Sequence, residues 1–274
     1  MWRAPNIQTS QDFTLLVAVL KISILVPAYN EKTSIRTVID RVFSLGIENL
    51  EVIVVDDGST DGTREIVEQS LSHYPHLRLL VQPTNRGKTD AIARAIKDAT
   101  GDILMIQDAD LEYDPQEIPD VIQPILDNQA DVVYGSRFMV KKAARVLYFY
   151  HYLANKGLTF LSNFLTNRNM SDIETCYKAF RKEVLQPMTL TSRGFGLEVE
   201  ITAMICKTHA RTYEVPISYY GRTYDEGKKI GLRDGFEALW FIFYYNLVHP
   251  YGSAGKRYIA EVNHLLAERR IASK

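Results

Sequence analysis

The residues best placed to do chemistry are three acids in one short stretch, Ile103 to Pro115, which reads Ile-Leu-Met-Ile-Gln-Asp-Ala-Asp-Leu-Glu-Tyr-Asp-Pro. Ile103 to Ile106 read as a buried strand, since parallel strands covered on both faces are almost wholly apolar. The strand runs into Asp108 and Asp110, with Glu112 two residues further on. Carboxylates at i and i+2 of an extended chain point to the same side. Like charges that close stay ionised only with a cation beside them. Hard oxygen ligands suit Mg²⁺ or Mn²⁺, which keeps waters and borrows substrate phosphate oxygens. An isolated Asp-x-Asp is more often a solvated acidic turn, so the surroundings have to decide.

Those surroundings are elements of a regular kind. Strand patterns at Lys21–Pro27, Leu50–Val55, Leu77–Val81, Ile103–Ile106 and Ala130–Tyr134 alternate with helical patterns at Ser34–Leu45, Thr63–Leu71, Thr89–Ala99 and Pro115–Asn128. This alternation predicts an α/β fold with a mainly parallel sheet and right-handed crossovers. The first four strands each end in a polar loop of small residues, and such loops share one edge of a parallel sheet. Four of them together favour a site over a chance acidic turn. After Arg137 the alternation weakens. An aromatic helical pattern covers Ala143–Leu165; Ser171-Asp172 precedes the stretch Thr175–Phe180, and a helical cap follows at Lys182–Pro187. An apolar helix then runs to Lys207, followed by a strand over Arg211–Tyr219 and a polar loop over Gly221–Gly231. A second aromatic helix covers Leu232–Val248, and a charged one covers Ser253–Arg270.

Composition narrows the class. The 274 residues are 46% hydrophobic and 24% charged, enough for a sizeable core. A net charge of −1 provides no field to recruit nucleic acid or an acidic membrane. Cys176 and Cys206 have neither disulfide-framework nor metal spacing; they read as plain core or surface thiols in a reducing compartment. No secretory signal is evident, and no stretch reaches the roughly 20 apolar residues of a spanning helix. Asn85-Arg86-Gly87-Lys88-Thr89 contains the Gly-Lys-Thr of a P-loop, but Gln82 stands where that loop needs glycine. The first strand runs into Pro27-Ala28-Tyr29-Asn30-Glu31, not a dinucleotide fingerprint. What remains is a metal-dependent site for a diphosphate ligand. Asp56, at the second strand end, either holds a nucleoside or caps the turn that follows it.

Four motifs in order, Pro27-Ala28-Tyr29-Asn30-Glu31, Val55 to Thr63, Asn85-Arg86-Gly87-Lys88 and Asp108-Ala109-Asp110, resemble family 2 glycosyltransferases of the GT-A fold. Gly135-Ser136-Arg137, Ser171-Asp172, Tyr177 to Lys182, Glu214 to Ser218 and Arg222 to Lys228 resemble the dolichyl- or polyprenyl-phosphate sugar synthases within them. The resemblance implies a Rossmann-like nucleotide-binding sheet with acceptor-side helices. It implies one domain over 21–250, with a nucleotide-sugar half (21–137) and an acceptor half (138–250), before a C-terminal helix at 251–274. It implies a GDP- or UDP-sugar donor held at Pro27, Tyr29, Glu31, Asp56, Gly87, Lys88 and Ala109. A divalent metal would sit at Asp108 and Asp110, with Glu112 as a third ligand. Arg137, Arg222 and Lys228 would meet phosphate, joined by Asp110 and Asp172 as the catalytic set, in an inverting transfer to a lipid phosphate. Asp172-Ile173-Glu174-Thr175-Cys176 departs from the glycine-containing segment of the mannosyl enzymes.

Two other readings compete. A sugar-hydroxyl acceptor would need a general base, for which Asp172, Glu198 and Glu200 are candidates. A non-catalytic nucleotide-sugar binder would not need both acids of the pair. On the lipid reading the protein works at the cytoplasmic face of a membrane without spanning it, alone or with a membrane partner subunit. Its apolar and aromatic residues at Ala143–Leu165 (Val146, Leu147, Phe149, Tyr150, Tyr152) and Leu232–Val248 (Phe236, Leu239, Trp240, Phe241, Phe243, Tyr244, Tyr245) would lie in the interface. The loop Gly221–Gly231 is expected to act as a lid.

Overall fold

The computed structural model describes residues 20–139, 145, 146, 148–194, 196–221 and 232–272. Seven strands among them form one sheet: β1 (Ile22–Ala28), β2 (Leu50–Asp56), β3 (Leu77–Val81), β4 (Ile103–Ile106), β5 (Val132–Ser136), β6 (Lys178–Arg181) and β7 (Thr212–Pro216). Their order is β3-β2-β1-β4-β6-β5-β7. All pairings are parallel except those of β6, which runs antiparallel to both β4 and β5. β6 begins within the stretch Thr175–Phe180, to which the sequence pattern assigns no strand. The reversal follows from where the chain is delivered: the segment before β6 lies at the carboxyl edge, beside the loop after β5, so β6 can only run back down the sheet.

Strand periodicity divides the interior into two cores. Ile22, Ile24, Val26, Val52, Val54, Ile103 and Met105 face one side, where helices α1 (Ile35–Phe43), α2 (Thr63–Leu71) and α4 (Ile118–Leu126) cover them. Leu25, Ile53, Val55, Leu104 and Ile106 face the other. That side is covered by α3 (Lys88–Asp98), α6 (Lys182–Leu185), α7 (Gly196–Ile205) and α9 (Ser253–Ala272). Every residue of α7 is buried, so it is apolar on most of its circumference rather than striped. The final helix is part of this core: Tyr258, Val262 and Leu266 are buried, and Tyr258 Oη donates to Val184 O. The first aromatic helix, α5 (Phe149–Thr166), begins six residues later than its sequence pattern, and it packs against the second, α8 (Leu232–Leu247). Arg145 precedes α5 and donates to Gly221 O.

Asp131, 1% exposed, fastens the far end of the sheet. It meets Arg181 of β6 (3.4 Å), Arg211 before β7 (2.9 Å) and Arg270 of α9 (3.2 Å). Burial opposes its charge, but the arginines outweigh that and hold its carboxyl below the usual range. A carboxyl that titrates lower when folded stabilises fully above its unfolded value, about 4, and loses that contribution as pH falls through the folded one. Asp131→Asn should therefore cost about 3 kcal/mol near neutral pH. In denaturant titrations the gap between the two proteins should shrink in acid; a gap of constant size would contradict this electrostatic role.

Candidate active site

The loops after β1, β2, β3 and β4 meet at the carboxyl edge around a cleft of 480 Å³. Pro27, Tyr29, Glu31, Gly87, Lys88, Asp108, Ala109 and Asp110 all line it. The first two loops are zipped together. Asn30 N donates to Ser59 Oγ (3.0 Å), Thr60 N to Asn30 Oδ1 (2.9 Å) and Glu31 N to Thr63 Oγ1 (2.9 Å). Asn30 takes the left-handed conformation that asparagine tolerates.

The Asp56-Asp57 pair is split by strand alternation. Asp56 faces α2 and is fully buried, accepting from Arg64 Nε (3.1 Å) and Nη2 (3.0 Å) on one oxygen and from Ser59 N (3.3 Å) on the other. Asp57 faces the cleft instead. It accepts from Gln82 Nε2 (2.7 Å), Arg86 N (2.8 Å) and Gly87 N (2.8 Å), so it holds the third loop in place. Gly58 lets that loop approach, since a Cβ there would lie 2.7 Å from Asn85 N. Gly87, at φ 94°, turns the chain into α3. Alternation alone puts the two acids on opposite faces; only the packing of β2 shows that Asp57 is the one facing the cleft.

Lys88, at the start of α3, reaches across to the acids. Its Nζ lies 2.8 Å from Asp108 Oδ1, 3.3 Å from Glu198 Oε1 and 2.9 Å from Cys176 Sγ, and that thiol faces Glu198 Oε1 at 3.3 Å. Burial works against the Asp108 carboxylate, but the Lys88 ammonium outweighs it and holds the group below its ordinary range. Burial pushes the Cys176 thiol up, so it is a neutral hydrogen-bonding group rather than a nucleophile. It is nonetheless a site residue, not the bystander its spacing suggested. Asp110 Oδ1 accepts from Glu112 N (3.0 Å) across Leu111, which is held at φ 62°.

Glu112 does not join the two aspartates: its Oε2 accepts from Tyr219 Oη at 2.8 Å. No group of three His, Cys, Asp or Glu side chains converges among the described residues. The donor set therefore fits Mg²⁺ or Mn²⁺ completed by waters and ligand phosphates rather than an all-protein cage, with Lys88 standing as the cation beside Asp108.

Past β5, Arg137 forms a two-pronged pair with Asp172: Nε to Oδ2 2.7 Å, Nη2 to Oδ1 2.8 Å. Burial opposes the charge on Asp172, but Arg137 outweighs it and keeps the carboxyl ionised below its usual range. Asp172 is thus engaged in orienting Arg137, not poised as a base. Glu200 accepts from Thr191 and Ser192 backbone N–H groups and is equally committed. Lys156 of α5 donates to Ser171 O (3.2 Å) and lies 4.3 Å from the Phe138 ring centre.

Glu174, which sequence reasoning passed over, has an Oε1 shut off from solvent with no hydrogen-bond partner among the described residues. Burial, then the charge of Glu198, push its carboxyl up to about 8, against the pull of Lys178 and Arg137. Lys178 itself is buried, donates to Thr175 O and sits 5.0 Å from the Tyr134 ring centre. Arg222, Lys228 and the loop expected to be a lid, apart from Gly221, lie outside the described residues. A larger hollow of 740 Å³ is lined by Phe236, Trp240 and Phe241 with Arg193 and Glu237; it is mainly apolar and lies away from the strand-end acids.

Asp57→Ala should free the third loop. Backbone donors to a carboxylate are worth about 1.5–3 kcal/mol each. Amide exchange at Arg86 and Gly87 should accordingly accelerate at least about tenfold, while β2 amides stay protected. Unchanged exchange at both would remove Asp57 from this role.

A profile of glycosyl transferase family 2 matches residues 23–188. The chain is 31% identical over 227 residues to the dolichol-phosphate mannosyltransferase of Pyrococcus furiosus, covering 82% of this chain and 63% of that protein. It is 32% identical over 202 residues to glycosyltransferase AglJ of Haloferax volcanii, covering 73% of this chain and 63% of that one. Among solved structures, glucosyl-3-phosphoglycerate synthase from Mycobacterium tuberculosis in complex with UDP superposes with a TM-score of 0.68 at 21% identity, over 89% of this chain and 86% of that one. The same enzyme with Mn²⁺, UDP and phosphoglyceric acid gives a TM-score of 0.66 at 20% identity, covering 92% and 87%. The superposition agrees with the fold, the profile spans more than half of the chain, and the protein is a GT-A fold glycosyltransferase belonging to glycosyl transferase family 2.

Proposed function

We propose that this enzyme transfers a sugar from a nucleoside diphosphate to the phosphate of a polyprenyl- or dolichyl-type lipid. The carrying observation is on α5. Phe149, Leu153, Phe160 and Phe164 form one stripe at helical spacing, each more than half exposed. Lys156 stands on the same face and bends back to Ser171 O, next to the Arg137–Asp172 pair. An acceptor that joins a phosphate to an isoprenoid chain needs fixed cations beside an apolar outer surface. The dolichol-phosphate mannosyltransferase relative supports the same acceptor class.

On this reading the donor diphosphate lies over Asp108 and Asp110, with the nucleoside toward Pro27, Tyr29 and Glu31 and Asp56 supporting that end through Arg64. A bound Mg²⁺ or Mn²⁺ would supply charge stabilisation for the diphosphate leaving group. Lys88 stabilises that group from the α3 side, and the Asp57-held loop fixes its position. An acceptor phosphate oxygen attacks the anomeric carbon from the opposite face. The new C–O bond forms as the bond to the diphosphate breaks, the nucleoside diphosphate leaves with the electron pair, and configuration inverts. A phosphate needs no base, which agrees with Asp172 and Glu200 being committed elsewhere.

The chain spans 63% of the length of the two curated relatives, and no helix of the described residues is long and apolar enough to cross a membrane. Contact with the cytoplasmic leaflet would come from α5 and from the exposed Phe236, Trp240, Phe243 and Leu247 of α8. Tyr245 and, in part, Phe241 belong to the core instead.

Asp110→Asn should lower transfer from UDP-glucose or GDP-mannose to a short polyprenyl phosphate by about a hundredfold or more, with an unchanged unfolding midpoint. Full activity in that variant would exclude the metal assignment. Wild-type protein should co-sediment with anionic vesicles containing polyprenyl phosphate, and a Trp240→Ser, Phe243→Ser double variant should stay largely in solution. Wild-type protein that remains wholly in the supernatant would remove the lipid reading in favour of a hydroxyl acceptor.

A further inference from the structure

Asp172, Glu174 and Cys176 alternate along the segment before β6, and Lys178, the first residue of β6, continues the alternation. Asp172 is clasped by Arg137 at the acceptor end of the cleft. Cys176 touches Lys88 and Glu198 at the donor end. Glu174 stands between them, within electrostatic reach of Arg137 and Asp172 on one side and of Glu198 and Lys178 on the other. Its Oε1 is sealed from solvent and meets no hydrogen-bonding group among the described residues. A buried polar atom left unsatisfied costs about 1–3 kcal/mol, and here it lies between the Arg137–Asp172 pair and the Lys88–Cys176–Glu198 cluster.

We infer that Glu174 is an acceptor-binding residue that, as a neutral carboxylic acid, donates a hydrogen bond to an oxygen of a phosphate monoester. The inference rests on the phosphate-acceptor reading above. A carboxylate at this position would repel the dianion that Arg137 attracts. The acid form adds a directional donor beside that cation without adding charge, and its O–H meets an acceptor-only group. Among the described residues, charge acts on it from Glu198 of α7, Lys178 of β6, Arg137 of the loop after β5 and Asp172 of its own segment. The two acids disfavour its ionisation and the two cations favour it, while burial adds to the acids. The neutral form accordingly persists to about pH 8 and is lost above it.

The test is isothermal titration of the full chain with citronellyl phosphate, and in parallel with glycerol 3-phosphate, from about pH 7 to about pH 9.5. Over this range a phosphate monoester is largely a dianion and contributes little slope. Binding of citronellyl phosphate to wild-type protein should weaken by about tenfold for each pH unit above 8, because one proton must be taken up. Glu174→Gln keeps shape and a donor N–H, so its affinity should be within several-fold of wild type at pH 7 and flat with pH. Glu174→Ala should bind at least about tenfold more weakly at pH 7. Thermal unfolding of both variants checks the fold.

Phosphate binding with the same alkaline slope in Glu174→Gln as in wild type would overturn the role of Glu174 and leave the acceptor reading standing. Failure of either phosphate to bind wild-type protein would overturn both. Equal binding of the two phosphates, with the slope abolished in Glu174→Gln, would uphold Glu174 and exclude the lipid.

Discussion

A carboxylate at the end of a buried strand needs a positive charge against it, and in this enzyme the placement of that charge organises the site. Asp108 ends β4, and its partner is Lys88, the first residue of α3. Lys88 can reach it only because the preceding loop is fixed, and that loop is fixed by a second carboxylate, Asp57, which accepts two consecutive backbone N–H groups. The same ammonium touches Cys176 and Glu198, which come from the far half of the chain. One half-buried cation thus joins the donor-side loops to the far half of the chain.

The buried charges of the molecule fall into two kinds. Arg137 with Asp172, and Asp131 with its arginines, are made of planar groups with matched forks; each has essentially one arrangement and behaves as a fastener. Lys88 is a point charge with three donors shared among an aspartate, a glutamate and a thiol. An ammonium has no fixed fork, so its three contacts do not impose a single geometry on it. One fastener lies past the end of β5 and the other at the far end of the sheet, whereas the adjustable group lines the cleft itself.

Much of this was legible in the chain itself. Nearly every strand was marked by its apolar run, and eight residues named for the donor side do line one cleft, because the carboxyl ends of parallel strands share an edge. What escaped was tertiary. Asp56 and Asp57 are the same side chain one position apart, and only the facing of β2 tells the one bound to Arg64 from the one that holds a loop. Glu112 has the right type at the right spacing, yet Tyr219, more than a hundred residues away, takes its oxygen. Cys176 and Glu174 carry no local signal, since their surroundings come from four separate elements. The aromatics of α8 read alike in sequence, but alternate turns send Tyr245 inward and Trp240 outward.

The reversed strand has a consequence for how the molecule is made. β4 and β5 share no ladder; they are joined to each other only by β6, which follows α5 in the chain. A nascent chain that has emerged as far as Ser136 holds β3, β2, β1 and β4 with an open edge, and β5 has no neighbour. The carboxyl edge that carries Asp108 stays unfinished until Arg181 has been synthesised and the late strand slides between two earlier ones. Such non-local closure is slow. During the interval the bare flank of β4 offers its backbone to any strand that comes near, another nascent copy included. The same wedge that locks donor and acceptor machinery into one body makes the ribosome-bound intermediate the form of this protein most exposed to misassociation.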